Sequence, residues 1–173
     1  MMLSNELLKL KSDNKNYFSF YLKTEDSRIE NDGVVLFHTE DSDIECGNGP
    51  LIYGDASGII NDLIAYIQWV LVSVPVETDL HGEMGAYFYN NCTDKEINNK
   101  LSKYMFTSGS SSIVWLYKVA DDKYCIEVTG GSKFTPEIDF QKIYVETISE
   151  GKLRNWIVKL ESSRSDIWNK KKN

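Results

Sequence analysis

The sequence predicts a single α+β domain, residues 1–173, in which a mainly antiparallel sheet packs on a buried central helix. The chain has 173 residues, 42% of them hydrophobic, which is enough for one domain with its own core. One long apolar segment occupies residues 58–74. Short segments of alternating apolar and polar residues, bounded by turn residues, lie on both sides of it. The order of these hairpins and helices along the chain favours the α+β class.

The central helix is predicted over residues 58–74, with Asp55 or Ser57 as its N-cap and Pro75 as the residue that stops it. Only a thin stripe of residues at helical spacing tolerates solvent: Asn61, Ala65, Gln68 and Val72. A helix that is apolar almost all round must be covered on nearly every side. The apolar run is shorter than the ~20 residues needed to cross a bilayer, so we expect a buried helix and no membrane contact.

The segments before the central helix predict a helix and a hairpin. Residues 1–11 are predicted to form a short helix with a partial leucine face. Residues 17–23 alternate as in a half-buried strand, and residues 34–38 form a compact apolar second strand. We expect these two strands to pair as a hairpin with a long acidic loop. Residues 51–53 are predicted to be a short strand that leads into the central helix.

Three further strands and a helix are predicted after the central helix. Residues 83–89 are rich in aromatic residues and predict a strand. Thr93 and Glu96 form a capping box, which predicts a helix over residues 94–106. The clearest hairpin joins residues 113–119 to residues 123–129 through a turn at Asp121-Asp122. Both faces of the first of these strands are apolar, so we expect it to be central in the sheet.

The last third of the chain predicts helices over residues 136–162. Thr135-Pro136-Glu137 is a typical helix start, with proline at the first helical position. Residues 137–148 contain many β-branched residues, so a strand is the alternative there, although we favour a helix. The residues that follow have apolar positions at i, i+3, i+4 and i+7 and predict a firm amphipathic helix: Leu153, Trp156, Ile157 and Leu160. Residues 169–173 are predicted to be a frayed basic tail.

No catalytic or metal-binding pattern is present in the sequence. The histidines His38 and His81 are far apart, and the three cysteines, Cys46, Cys92 and Cys125, include no C-x-x-C pair. Phosphate-binding glycine motifs and the G-x-S-x-G nucleophile motif do not occur. Trp69, Trp115 and Trp156 lie on predicted core faces. We therefore expect no enzyme activity, no metal and no cofactor. Unpaired cysteines and the lack of a leader at the amino terminus favour the cytoplasm.

The acidic charge is concentrated in the amino-terminal third. Residues 24–62 contain ten acidic residues and one base, Arg28, so the net charge of this segment is −9. The net charge of the whole chain is −7, so the remaining residues are slightly basic. The negative charges of such a surface repel one another and also repel nucleic acid. The same charges accelerate association with a basic partner. The acidic loops are thus either merely solvated or a partner-binding surface. In the second case the residues that bind are Glu25, Asp26, Glu30, Asp32, Glu40, Asp41, Asp43 and Glu45.

A small, acidic α+β protein without catalytic motifs resembles the bacterial immunity proteins of polymorphic-toxin and contact-dependent growth-inhibition systems. The Asn-, Lys- and Ile-rich composition is also similar to that of many such proteins. The resemblance is one of type over the whole chain. It implies a protein that binds a cognate toxin, often a basic nuclease, with carboxylates in the positions that nucleic-acid phosphates would occupy. The alternative function is a small enzyme or ligand-binding domain with a pocket between the sheet and the central helix, and the third is an oligomerisation module.

Overall fold

The computed structural model describes residues 5–11, 17–22, 32–38, 52–108, 112–130 and 140–170. Within these ranges the strands form two four-stranded antiparallel sheets, each ordered as in the chain. The amino-terminal sheet contains β1 (Asn5–Lys11), β2 (Tyr17–Leu22), β3 (Asp32–His38) and β4 (Ile52–Asp55). The carboxyl-terminal sheet contains β5 (Met105–Ser108), β6 (Ser112–Ala120), β7 (Lys123–Gly130) and β8 (Gln141–Ser149). The helices are α1 (Ala56–Val72), a 3₁₀ helix (Thr78–Leu80), α2 (Met84–Asn90), α3 (Lys95–Ser102) and α4 (Glu150–Lys170). The predicted α+β class is therefore confirmed.

The carboxyl-terminal sheet is covered by helices on both faces. Alternate residues of β6 and β7 point to opposite sides, as the strand period of two requires. One face packs against α1 and α4 and forms the main core, which includes Val114, Leu116, Ile126 and Leu153. The opposite face packs against the 3₁₀ helix, α2 and α3, which together we call the α2–α3 layer. The buried residues of this layer and of the sheet face beneath it form a second cluster: Leu80, Met84, Phe88, Tyr89, Leu101, Tyr104, Ile113, Trp115, Tyr117 and Cys125.

Helix α1 joins the two sheets. It contacts β3 and β4 on one side and β6 and α4 on the others. The predicted solvent-tolerant residues are all exposed, and Asp62 and Trp69 widen the stripe; Trp69 is 38% exposed. The prediction that Trp69 is a core residue is therefore wrong, whereas Trp115 and Trp156 are buried. No helix in the described ranges has both the length and the apolar character needed to cross a membrane.

Several predicted elements are confirmed at nearly the predicted bounds. Strands β2 and β3 pair antiparallel, and β4 leads directly into α1. Strands β6 and β7 form the expected hairpin, whose turn residue Asp122 has a positive φ of 57°. The amphipathic helix is α4, which buries Leu153, Trp156 and Leu160. It continues to Lys170, and residues 171–173 lie outside the described ranges, so the fraying of residues 169–173 stays a prediction.

Two segments predicted as helices are strands. Residues 5–11 form β1, in which Leu10 is buried against the main core. The favoured helix at residues 137–148 is also wrong, because residues 141–149 form β8. In both cases a neighbouring strand supplies the backbone hydrogen bonds, β2 for the first segment and β7 for the second. Pairing of this kind overrides local helix propensity.

The strand predicted at residues 83–89 is instead α2, and the helix predicted at 94–106 is shorter. Asp94, not Thr93, is the N-cap of α3, since its carboxylate accepts hydrogen bonds from the N–H groups of Glu96 and Ile97. Helix α3 ends at Ser102, and β5 starts at Met105 to pair with β6. Only Met105 and Phe106, the last two residues of the predicted helix, thus belong to an edge strand of the carboxyl-terminal sheet.

Candidate partner-binding surface

The α2–α3 layer is anchored to the sheet by one buried carboxylate. Glu127 of β7 has no exposed surface and accepts hydrogen bonds of 3.0 Å from the backbone N–H groups of both Met84 and Gly85. The hydroxyl of Tyr117 lies 3.1 Å from the same carboxylate. Burial raises the pKa of Glu127, while the hydrogen bonds from Gly85 and Tyr117 oppose that rise. Glu127 of strand β7 therefore caps the first turn of α2, which packs on this face of the sheet.

A close approach between α2 and β7 fixes the helix in this position. A Cβ atom added at Gly85 would lie 2.4 Å from Cγ2 of Thr129 and 3.0 Å from Oε1 of Glu127, so only glycine fits here. Thr129 in turn accepts a 3.0 Å hydrogen bond from Nε1 of Trp115. The inner side of the layer is consequently packed without room for a ligand, and any contact with a partner must use its outer side.

The outer side of the layer contains a small cavity of about 60 Å³ between the 3₁₀ helix, α2 and α3. The buried side chains of Leu80 and Leu101 lie at this cavity. Its other lining residues are Glu77, Asp79, Tyr87, Ile97 and Lys100. Ligand pockets for drug-sized molecules are about 300–1,000 Å³, so this one is too small for such a molecule.

Two carboxylates of this cavity are available to a partner. Glu77 and Asp79 are exposed, and neither side chain forms an ion pair or hydrogen bond with another residue in the described ranges. Tyr87 is 41% exposed beside them. With Lys100 as the one base, the lining has a net charge of −1. The cavity therefore combines apolar walls, an aromatic ring and unpaired acidic groups.

The acidic residues predicted to bind a partner lie mostly outside the described ranges: Glu25, Asp26, Glu30, Glu40, Asp41, Asp43 and Glu45. Asp32 is the exception, at the start of β3. The strand register places it opposite Asp55 of β4, so two residues of the acidic segment are neighbours in the amino-terminal sheet. The basic end of the chain is described as far as Lys170.

The side chains considered for catalysis do not come together at the cavity. Asp62 is exposed on α1, Cys92 is half-buried after α2, and the His81 ring lies 3.3 Å from the carbonyl oxygen of Val76. None of them lines the cavity, and the described part of the chain contains no group of three or more metal-binding side chains. Cys125 is packed in the core as predicted, and burial raises the pKa of its thiol to about 11. A thiol with this pKa is a poor nucleophile at neutral pH.

The space between the carboxyl-terminal sheet and α1, where the alternative function requires a pocket, contains core side chains. Ile60, Leu63 and Ile67 of α1 belong to the same buried cluster as Leu116 and Ile126 of the sheet. Interiors packed in this way leave few voids larger than a water molecule.

Sequence reasoning missed the cavity because its residues come from three separate elements. Glu77 and Asp79 lie outside the strongly acidic segment, so a charge count does not single them out. The one available sign was that two acids follow Pro75 at a spacing of two residues. Comparisons of the chain with protein-family models, with curated proteins and with solved structures gave no match.

Proposed function

We propose that this protein is a cytoplasmic immunity protein that binds and neutralises a cognate toxin domain through an acidic surface. The toxin is a basic protein, most simply a nuclease, since a surface that binds nucleic acid is itself complementary to carboxylates. The observation that carries the proposal is the ratio of ten acidic residues to one base within residues 24–62. Crowded like charges repel one another, so folding does not require them.

The described side chains support binding rather than catalysis as the function. The buried ionisable side chains are enclosed by the protein. Tyr117 and Cys125 belong to the second core cluster, and Glu127 is hydrogen-bonded beside them. By contrast, Glu77 and Asp79 face solvent without partners in the described part of the chain. Polar groups that are buried and satisfied stabilise the fold, whereas exposed unpaired charges are free to meet a partner.

The proposal is tested by identifying a toxin-like gene next to the gene for this protein and measuring binding to its product. The complex is expected to be 1:1, with an association rate that falls steeply as salt is added, because rim charges act chiefly on the on-rate. A triple charge reversal, Glu25→Lys, Asp41→Lys and Asp43→Lys, is expected to lower the association rate at least tenfold at low salt while leaving the melting temperature within a few degrees of wild type.

The matched control reverses three acidic residues that lie outside residues 24–62 in the sequence: Asp121→Lys, Glu161→Lys and Asp166→Lys. This variant has the same net charge as the test variant, and the three control residues are exposed. It is expected to associate several times faster than the test variant, since local charge rather than total charge steers the encounter. Equal rates for the two variants would contradict the acidic-surface proposal, and lack of protection against any neighbouring toxin would contradict the immunity function.

A further inference from the structure

The cavity on the outer side of the α2–α3 layer has the size and chemistry of a site for one amino-acid side chain. The cavity of about 60 Å³ is larger than the space that a single water needs and far smaller than a pocket for a drug-sized molecule. A planar guanidinium group fills more of such a space than a single ammonium group does.

The lining matches the parts of an arginine side chain. Leu80, Ile97 and Leu101 offer apolar contact to the methylene stem, which arginine commonly buries along such surfaces. Tyr87 presents a half-exposed ring, and guanidinium groups stack on aromatic faces. Glu77 and Asp79 supply carboxylates, the preferred acceptors for the planar fork of N–H donors.

We infer that this cavity binds an arginine side chain of a protein partner. The net charge of −1 in the lining and of −7 in the chain favours a cation over an acidic or neutral group. Lys100 is the local competitor, because this cationic residue lines the same cavity. The inference rests on the proposed function only in taking the toxin as the protein that carries this arginine.

The site is tested without any toxin. N-acetyl-arginine amide is titrated into the full-length protein while NMR follows the methyl groups of Leu80, Ile97 and Leu101. Saturable shifts of these methyl groups are expected at millimolar concentrations. The neutral isostere N-acetyl-citrulline amide is expected to bind at least fivefold more weakly, since it keeps the shape and loses the charge. N-acetyl-lysine amide is also expected to bind more weakly than the arginine probe.

Two variants assign the binding to the carboxylates. The double substitution Glu77→Gln and Asp79→Asn is expected to weaken arginine binding about fivefold or more. Glu161→Gln with Asp166→Asn changes the net charge equally on exposed positions of α4 and is expected to leave it unchanged. Lys100→Met is expected to strengthen arginine binding, because the competing cation is removed.

Equal binding of the arginine and citrulline probes, or of arginine to the two double variants, would overturn the inference. These outcomes are independent of the proposed function, which is tested by toxin neutralisation. A protein that neutralises its toxin but fails the arginine titration keeps the proposed function and loses this site. A protein that binds arginine in the cavity but protects against no toxin gives the opposite result.

Discussion

The carboxylate of Glu127 accepts the backbone N–H of Gly85 at 3.0 Å, although the two residues are 42 positions apart in the chain. A seven-residue helix is too short to be stable by itself in water, and its first N–H groups need acceptors. Glu127 supplies two of them from the middle of the sheet. The position of α2, which forms one wall of the cavity on the outer side of the layer, is therefore fixed in part by this buried side chain.

Removing this carboxylate is expected to destabilise the protein strongly. Glu127→Ala leaves the buried N–H groups of Met84 and Gly85 without their acceptor, at an expected cost of about 3 kcal/mol in the free energy of unfolding. The Tyr117 hydroxyl loses one of its two acceptors and keeps the carbonyl oxygen of Leu80. Urea denaturation measures this cost. The control is Glu83→Ala, which removes a more exposed carboxylate that pairs with Lys142 and is expected to cost less than about 1 kcal/mol. Equal costs would contradict the anchoring role.

The same carboxylate is expected to make stability depend on pH. Burial raises the pKa of Glu127 above its ordinary value of 4.5, so the native state holds this proton more tightly than the unfolded chain does. The stabilising contribution is full below the unfolded pKa and is lost as the pH rises through the native pKa. Glu127→Gln cannot ionise, and its stability relative to wild type is therefore expected to improve from pH 4 to pH 8. Parallel stability curves for the two proteins would contradict this linkage.

The close approach at Gly85 is tested by a pair of glycine substitutions. Gly85→Ala forces a methyl group to within 2.4 Å of Thr129 and is expected to cost about 2–3 kcal/mol, as overpacked cores do. Gly151→Ala places the same methyl group on α4 with nothing within 4 Å, and is expected to stabilise the protein by up to about 1 kcal/mol. Thermal unfolding of both variants gives the comparison. A neutral Gly85→Ala variant would mean that α2 is packed less tightly than described.

The cysteines are expected to differ in reactivity. Cys125 is 3% exposed, and burial raises the pKa of its thiol to about 11, so little thiolate exists at pH 8. Cys92 is half-buried in the segment after α2. Iodoacetamide labelling at pH 8, followed by mass spectrometry at each site, is expected to modify Cys92 at least tenfold faster. The difference is expected to disappear in urea; its persistence there would assign it to local sequence instead of burial.

The connection between α4 and the amino-terminal sheet is expected to depend on Trp156. Its indole Nε1 donates a 2.9 Å hydrogen bond to the carbonyl oxygen of Lys11, and the ring is 1% exposed. Trp156→Phe removes the donor and part of the ring, at an expected cost of about 2 kcal/mol. Hydrogen exchange in β1 is expected to accelerate. Val158→Ala on the same helix changes a residue that is 63% exposed, and is expected to alter neither measurement.

The elements predicted correctly are those whose signal is local. The hairpin of β6 and β7, the apolar helix α1 and the amphipathic helix α4 each show their period within one segment. The helix predicted at residues 137–148 and the strand predicted at residues 83–89 are wrong because the partners of these segments are distant. Strand β7 stabilises the first as a strand, and Glu127 caps the second as a helix. The candidate cavity could not be predicted for the same reason, since tertiary packing alone brings Glu77 close to Lys100.

The carboxyl-terminal sheet separates two clusters of buried residues, one beneath α1 and α4 and one beneath the α2–α3 layer. Substitutions that are far apart and share no contacts have nearly additive effects. Residue changes around the outer cavity can thus accumulate while the larger cluster keeps its packing, which separates the choice of a binding partner from the capacity to fold. Under the proposed function, residues of the outer layer can change with the toxin while the rest of the molecule keeps its fold.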